Sequence, residues 1–166
     1  MAVSVRIPAA KAHATLKQVQ EFQQAIEDHR YLSEYVANVQ HSTALLRESE
    51  PRERIASMRA FLAEHVVGHF AFEESHVFPQ LLAKSAAPAT RRAVEELVDE
   101  HKSMMGPVRR LRRKMRGICA SGSARDLERL DESFRGFLHV LQAHAIKEDN
   151  LLLTVKQARR RAVHLT

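Results

Sequence analysis

The chain has 166 residues, a hydrophobic content of 45% and a formal net charge of +6. This length suits one domain that buries a core without disulfides, and we expect a single domain over 1–166 with its core at about 20–158. Glycine, proline and aromatic residues are few, whereas Ala, Leu, Glu, Arg and Lys are abundant. The composition therefore favours helix over strand and predicts an all-α protein.

Cysteine usage and the N-terminal residues indicate the compartment. The lone Cys119 excludes an internal disulfide and any metal site built on several thiolates. The first residues, MAVSVRIPAA, lack a basic patch followed by a long apolar run, and no stretch approaches the ~18 apolar residues of a membrane span. We therefore expect a soluble, cytoplasmic protein without a membrane partner.

Proline, glycine and polar residues divide the chain into four long helical segments. Their approximate ranges are 12–47, 51–84, 88–120 and 124–160. Pro51 and Pro88 lie near helix starts, and Gly122 followed by Ser123 offers a helix stop and the next N-cap. Because the connections are short, neighbouring helices should run antiparallel, and we predict an up-down-up-down four-helix bundle.

Apolar residues recur at spacings of three and four along each segment, as on helices that pack into a bundle. The second segment is less regular than the others. In every segment the apolar stripe is interrupted near its middle by polar side chains. These are His29 in the first segment, His65, His69 and Glu73 in the second, His101 in the third, and His144 and Glu148 in the fourth.

Two of the interruptions have the spacing His-x-x-x-Glu, which places both side chains on one face of a helix. With ten histidines and twenty acidic residues, about one such pair is expected by chance, so spacing alone is weak evidence. Depth in the bundle is a stronger test. His29 and His69 each lie about 20 residues from the joint near 49, and His101 and His144 each lie about 21 from the joint near 122. Glu73 and His101 lie about 13 and 15 residues from the joint near 86, which connects the two pairs. All four histidines should therefore share one layer.

An internal repeat supports the same layer. The sequences HFAFEESHVFP at 69 and HAIKEDNLLLT at 144 share a histidine, a glutamate four residues later and a second acidic residue. His29 and His101 are separated by a similar number of positions. The chain therefore resembles two helical hairpins in tandem, each with one single histidine and one His-x-x-x-Glu pair, and we expect pseudo-twofold symmetry.

Buried imidazoles and carboxylates need a compensating partner. Each unpaired charged group in an apolar layer would cost several kcal/mol, and metal ions would remove this penalty. Nitrogen and oxygen ligands without thiolate suit divalent or trivalent cations. A single ion could not use all six side chains because of crowding, so we expect two ions.

These residues resemble the hemerythrin family, specifically the hemerythrin-like HHE cation-binding domains. The resemblance covers roughly 20–158. It is carried by the pairs His69-x-x-x-Glu73, Glu100-His101 and His144-x-x-x-Glu148, and by the sequence VFP at 77–79.

The resemblance implies a four-helix bundle with a non-haem di-iron centre, and thus two iron ions per chain in preference to zinc or manganese. One ion would be bound by His29 and His69, and the other by His101 and His144. The side chains expected to bridge the two ions are Glu73 and Glu148.

The sequence departs from oxygen-carrying hemerythrins at two positions. Those proteins have a further histidine four residues after the third-helix histidine, where this chain has Met105. His65, one turn before His69, could replace that ligand. The last acidic ligand of the oxygen carriers lies five residues after their final histidine, where Asp149 stands. Helical geometry and the internal repeat favour Glu148, and Asp149 remains the alternative.

The missing histidine bears on function. With two histidines per ion, both ions keep an open position, which favours redox chemistry or sensing of O₂, peroxide or NO over reversible oxygen carriage. Whether this includes enzymatic turnover stays open. The alternatives are an iron-binding, iron-storage or metal-responsive module without turnover, and a structural bundle that takes up zinc adventitiously. Glu74, Glu100 and Asp149 are candidate acceptors for the N–H groups of the ligand histidines.

A basic run, RRLRRKMRG at 109–117, supplies much of the positive charge. On the predicted third helix its arginines project outward, and few aromatic residues are interleaved for base stacking. We therefore interpret it as a solvated face and expect no nucleic-acid partner. The expected partner is a small diatomic ligand or peroxide, and the oligomeric state stays open.

Overall fold

The computed structural model describes the backbone of residues 9–41, 50–84, 87–121 and 123–163, and the side chains of 20–39, 50–83, 87–118 and 123–158. Within these ranges the chain forms four long helices. They are α1 (Ala9–His41), α2 (Pro51–Lys84, in five consecutive helical segments), α3 (Pro88–Ser121) and α4 (Ala124–Val163). Both α1 and α3 pack against α2 and α4, which closes a bundle. The predicted all-α four-helix bundle is confirmed.

The helix starts follow local chemistry. Pro51 is the first residue of α2, where its missing N–H has no helical partner to lose. At the start of α4 the Ser123 hydroxyl accepts a hydrogen bond from the Asp126 N–H at 3.3 Å, and the Asp126 carboxylate accepts one from the Ser123 N–H at 3.1 Å. This reciprocal pair is a capping box. The predicted end of the first segment near 47, Gly122 and the side chain of Cys119 lie outside the described residues.

The surface of the bundle is polar along the basic run. Arg109, Arg112, Arg113 and Arg116 are exposed on α3, as their positions predict. Among the described residues, no helix combines the length and the apolar content needed to span a membrane.

Buried apolar side chains form two clusters, one toward each end of the bundle. The larger cluster includes Leu32, Leu62, Val108 and Phe134, and the smaller one includes Ala25, Val77, Leu97 and Val155. On every helix the histidines of the predicted layer lie between residues of the two clusters. The polar layer is therefore enclosed by hydrocarbon on both sides.

The second helix explains why its sequence pattern is irregular. Its turns at Phe61–Val67 and Glu73–Val77 are π-helical: the Gly68 N–H donates to the Ala63 carbonyl, and the Phe78 N–H donates to the Glu73 carbonyl. Such a turn takes up one more residue than an α-turn, so side chains four apart stay on one face. The buried side chains with this spacing are Met58, Leu62, Val66 and Phe70, then His69, Glu73, Val77 and Leu81.

We predict that the first π-helical turn tolerates the loss of one residue. Deleting the exposed Ala63 should convert this turn to α-helix and leave the direction of His69 and Glu73 unchanged. Deleting the exposed Glu96 from the regular α3 should instead rotate the two halves of that helix by about 100° and destabilise the protein by roughly 3 kcal/mol or more. Thermal unfolding followed by circular dichroism compares the two variants, and equal destabilisation would contradict this account of α2.

Candidate metal centre

Six polar side chains from the four helices meet between the two apolar clusters. The single histidines come from α1 and α3, and the His-x-x-x-Glu pairs come from α2 and α4. They are almost inaccessible to solvent, with exposed fractions of 2% for His29, 3% for His69, 0% for Glu73, 1% for His101, 2% for His144 and 1% for Glu148. The structure thus brings together all six side chains that the sequence places in one layer.

The metal-binding atoms of these side chains form two groups, each with its atoms within 4.8 Å of one another. Ligand atoms lie about 2.0–2.2 Å from a bound metal such as zinc, so atoms on opposite sides of one ion are about 4 Å apart. Each group therefore has the dimensions of a metal site. The first group is His29, His69, Glu73 and Glu148, and the second group is Glu73, His101, His144 and Glu148.

Glu148 turns one carboxylate oxygen toward each group. Its Oε2 lies 3.1 Å from the His29 Nε2 and 3.9 Å from the His69 Nε2. Its Oε1 lies 3.3 Å from the His101 Nε2 and 3.0 Å from the His144 Nε2. A carboxylate in this position can bridge two cations.

Several atoms that face the middle of the layer lack a hydrogen-bond partner. The buried atoms without a hydrogen bond are both oxygens of Glu73, the Oε2 of Glu148 and the Nε2 of His144. A buried carboxylate without a partner is costly, and a cation removes that cost. Imidazole and carboxylate donors together suit iron, zinc or manganese. The donor set therefore fits metal cations.

The same carboxylates hold protons on the imidazoles when no cation is bound. Burial opposes the charged form of His29, but ion pairs with the Glu148 and Glu73 carboxylates raise its pKa to about 11. Burial also opposes charge on His69, whereas Asp28 and Glu148 raise its pKa to about 9. Burial raises the pKa of Glu73, whereas hydrogen bonds from the imidazoles outweigh burial at Glu148 and hold its pKa far below the usual range. Cations would therefore compete with protons for this layer.

Each imidazole of the layer points Nε2 inward and Nδ1 outward, and an acidic side chain lies behind every Nδ1. When Nδ1–H donates to a carboxylate, the proton is held on Nδ1 and the Nε2 lone pair is available to a cation. The Nδ1–oxygen distances are 2.8 Å for His29 and Asp149, 2.9 Å for His101 and Glu74, 2.8 Å for His144 and Glu100, and 3.6 Å for His69 and Asp28. At 3.6 Å, the contact between the His69 Nδ1 and Asp28 is an ion pair that is too long to be a hydrogen bond.

The predicted acceptors Glu74, Glu100 and Asp149 thus lie behind histidines of the layer. Asp28 also lies there, although sequence reasoning missed it. The signal was available, because Asp28 is adjacent in sequence to His29, as Glu100 is to His101. Adjacency does not show which histidine an acid serves, because all four acids lie behind a histidine of another helix.

The structure keeps two other candidate ligands outside both groups. His65 is half-buried, and its ring lies 4.2 Å from that of Tyr31 between centroids. Asp149, whose side chain is 46% exposed, contacts His29 from behind. The carboxylate of the last helix that faces both groups is that of Glu148.

We predict different effects for the two adjacent acids of α4. Glu148→Gln should abolish the binding of two ions, because it removes a carboxylate that belongs to both groups. Asp149→Asn should retain both ions and weaken their binding by about 10–100-fold, since it acts only through His29. Metal titration with a competing chelator measures both constants. A larger loss in Asp149→Asn than in Glu148→Gln would show that Asp149 is the ligand.

We also predict that metal loading releases protons. With its pKa raised to about 11, His29 is protonated at pH 7 and must become neutral to bind a cation. Affinity should therefore rise with pH, and proton release should diminish as pH passes about 11. The release is measured with a pH indicator in weakly buffered solution, with Glu148→Gln as the control. Loading at pH 7 without proton release would contradict the prediction.

Comparison with known families agrees with this site. The family model of the hemerythrin HHE cation binding domain matches residues 22–155. A search of curated proteins and a search of solved structures each found no match to the chain. Since the family match covers more than half of the chain, and the bundle has histidine and glutamate donors buried at its centre, the chain belongs to the hemerythrin HHE cation-binding domain family.

Proposed function

We propose that this chain is a cytoplasmic non-haem di-iron protein that binds or reacts with O₂, peroxide or NO. The observation that carries the proposal is the pair of four-residue groups that share both carboxylates. In this arrangement one iron would have His29 and His69, the other would have His101 and His144, and the two glutamates would bridge them. Iron is favoured over zinc or manganese because of the resemblance to di-iron hemerythrins, since the donor types suit all three metals.

The number of donors leaves room for a small ligand. Each ion would have two imidazoles and two shared carboxylates, which is fewer protein ligands than an octahedral ion accepts. Two iron ions bound here would supply adjacent open positions and a change of oxidation state. The protein's own part is to hold the donors in place and to keep the surroundings dry.

Aromatic packing supports a dry site for a small ligand. The ring of Phe70 stacks on that of His101 at 3.9 Å between centroids with 13° between planes, and Phe78 lies on the same histidine at 5.6 Å. A surface groove between α3 and α4 reaches the layer at His144. Lys147 forms an ion pair with Glu100 beside this histidine. The groove is therefore a route by which a small molecule could approach the layer.

Met105 favours redox chemistry or sensing over oxygen carriage. It stands four residues after His101, where oxygen carriers have a further histidine, and its half-buried side chain packs against the larger apolar cluster. A thioether that packs against hydrocarbon does not replace an imidazole donor. Both ions would therefore have equal numbers of histidines, and each would keep an open position.

We expect protein purified from its native host to contain about two irons per chain and, once iron-loaded, to consume peroxide or O₂ catalytically or to bind NO. Iron analysis, optical spectra and peroxide decay measure this. His101→Ala should lose both the iron and the reactivity. His76→Ala is the matched control, because His76 is an exposed histidine of α2 outside both groups.

The other outcomes separate the alternatives. Iron binding without turnover or ligand binding would favour a storage or metal-responsive module. A stable, reversible O₂ adduct without peroxide turnover would favour oxygen carriage. Protein without iron, with unchanged stability in His101→Ala, would indicate a structural bundle.

A further inference from the structure

The acidic side chains behind the four imidazoles follow a circular order around the bundle. Each helix contributes one of them, and each lies behind the histidine of the next helix in the chain, with the fourth returning to the first. Asp28 of α1 lies behind His69 of α2, Glu74 of α2 behind His101 of α3, Glu100 of α3 behind His144 of α4, and Asp149 of α4 behind His29 of α1.

The sequence positions of these acids fit the antiparallel bundle. On α1 and α3 the acid precedes the buried histidine by one residue, whereas on α2 and α4 it follows the buried glutamate by one residue. One residue corresponds to a rotation of about 100° on a helix. Seen from one end of the bundle, a step backward on an ascending helix and a step forward on a descending helix rotate in the same sense. Because of this alternation, all four acids are displaced from the buried groups in the same rotational sense, seen from one end of the bundle.

The residues on the other side of the buried groups have the opposite charge on three helices. Asp28 and Arg30 flank His29, Glu100 and Lys102 flank His101, and Lys147 and Asp149 flank Glu148. The negative charge therefore lies on one side of each of these three buried groups.

We propose that Asp28, Glu74, Glu100 and Asp149, the outer acid ring, are positioning residues through which each helix orients the metal-binding imidazole of the next helix. The inference rests on the proposed metal site. The acids do not touch a bound cation. Three of them, Glu74, Glu100 and Asp149, accept a hydrogen bond from Nδ1, and Asp28 faces the His69 Nδ1 at 3.6 Å without one, so that every Nε2 faces the layer. Their side chains are 32–46% exposed, whereas no histidine of the layer is more than 3% exposed. The acids thus stay hydrated while they contact buried rings.

The outer acid ring predicts a result that adjacency in the sequence does not predict. Glu100 is next to His101, but its substitution should affect His144 on another helix. We expect Glu100→Gln to shift or remove the Nδ1–H signal of His144 in proton–nitrogen NMR spectra of zinc-loaded protein and to leave that of His101 in place. Glu74→Gln should have the reverse effect, on His101. A change at His101 in Glu100→Gln without a change at His144 would overturn the proposal.

Metal affinity provides the second readout. Glu100→Gln should weaken Co²⁺ binding by about 10–100-fold in chelator competition. Asp99→Asn is the matched control, because Asp99 is an adjacent exposed acid on α3 paired with Lys102, and it should change affinity less than about twofold. Adding Lys102→Glu to Glu100→Gln restores a carboxylate about 200° around the helix and should not restore affinity. If Lys102→Glu restores the Co²⁺ affinity, negative charge alone is sufficient, and the proposal that the outer acid ring orients the imidazoles would be wrong.

The ring and the proposed function can fail separately. Wild-type protein that does not bind about two Co²⁺ or Zn²⁺ ions per chain would overturn the proposed site itself. Wild-type protein that binds two ions, together with ring variants that bind like Asp99→Asn, would overturn only the ring. If Glu100→Gln does not fold, Glu74→Gln tests the same proposal through His101.

Discussion

The structure depends on the burial of six polar groups in the middle of an apolar bundle. No side chain of this layer is more than 3% exposed, and several of its atoms have no hydrogen-bond partner within the protein. Such a layer is unfavourable unless positive and negative groups meet in it, so every helix must bring its donor to the same depth. The long helices, the short joints and the two flanking apolar clusters all serve that requirement.

Depth is also the feature that sequence predicts best. The stripes of apolar residues define four helices, and equal distances from the joints are enough to assign His29, His69, His101 and His144 to one layer. The structure brings these four together with both glutamates of the His-x-x-x-Glu pairs. Counting works here because a helix converts residue number into length at a constant rise.

The direction in which a side chain points around its helix is predicted less well than its depth in the bundle. Two π-helical turns change the facing of side chains along α2, and spacing alone does not show which backbone hydrogen bonds form. His65 shares a predicted stripe with His69 but lies beside Tyr31, outside both groups. Asp28 was overlooked although it adjoins His29 as Glu100 adjoins His101, and spacing does not show that each of these acids serves a histidine of another helix. The roles that spacing does not show are those that depend on angle or on a neighbouring element.

The symmetry of the layer suggests where its two halves differ. The inner donors repeat from hairpin to hairpin, so each group has two imidazoles and the same two glutamates. The surroundings are unequal: the His69 Nδ1 is 3.6 Å from Asp28, whereas the other three imidazoles have hydrogen bonds of 2.8–2.9 Å. Phe70 also stacks closely on His101. Because carboxylates and packing behind a ligand tune its metal, these surroundings would distinguish two bound ions that share the same donor types.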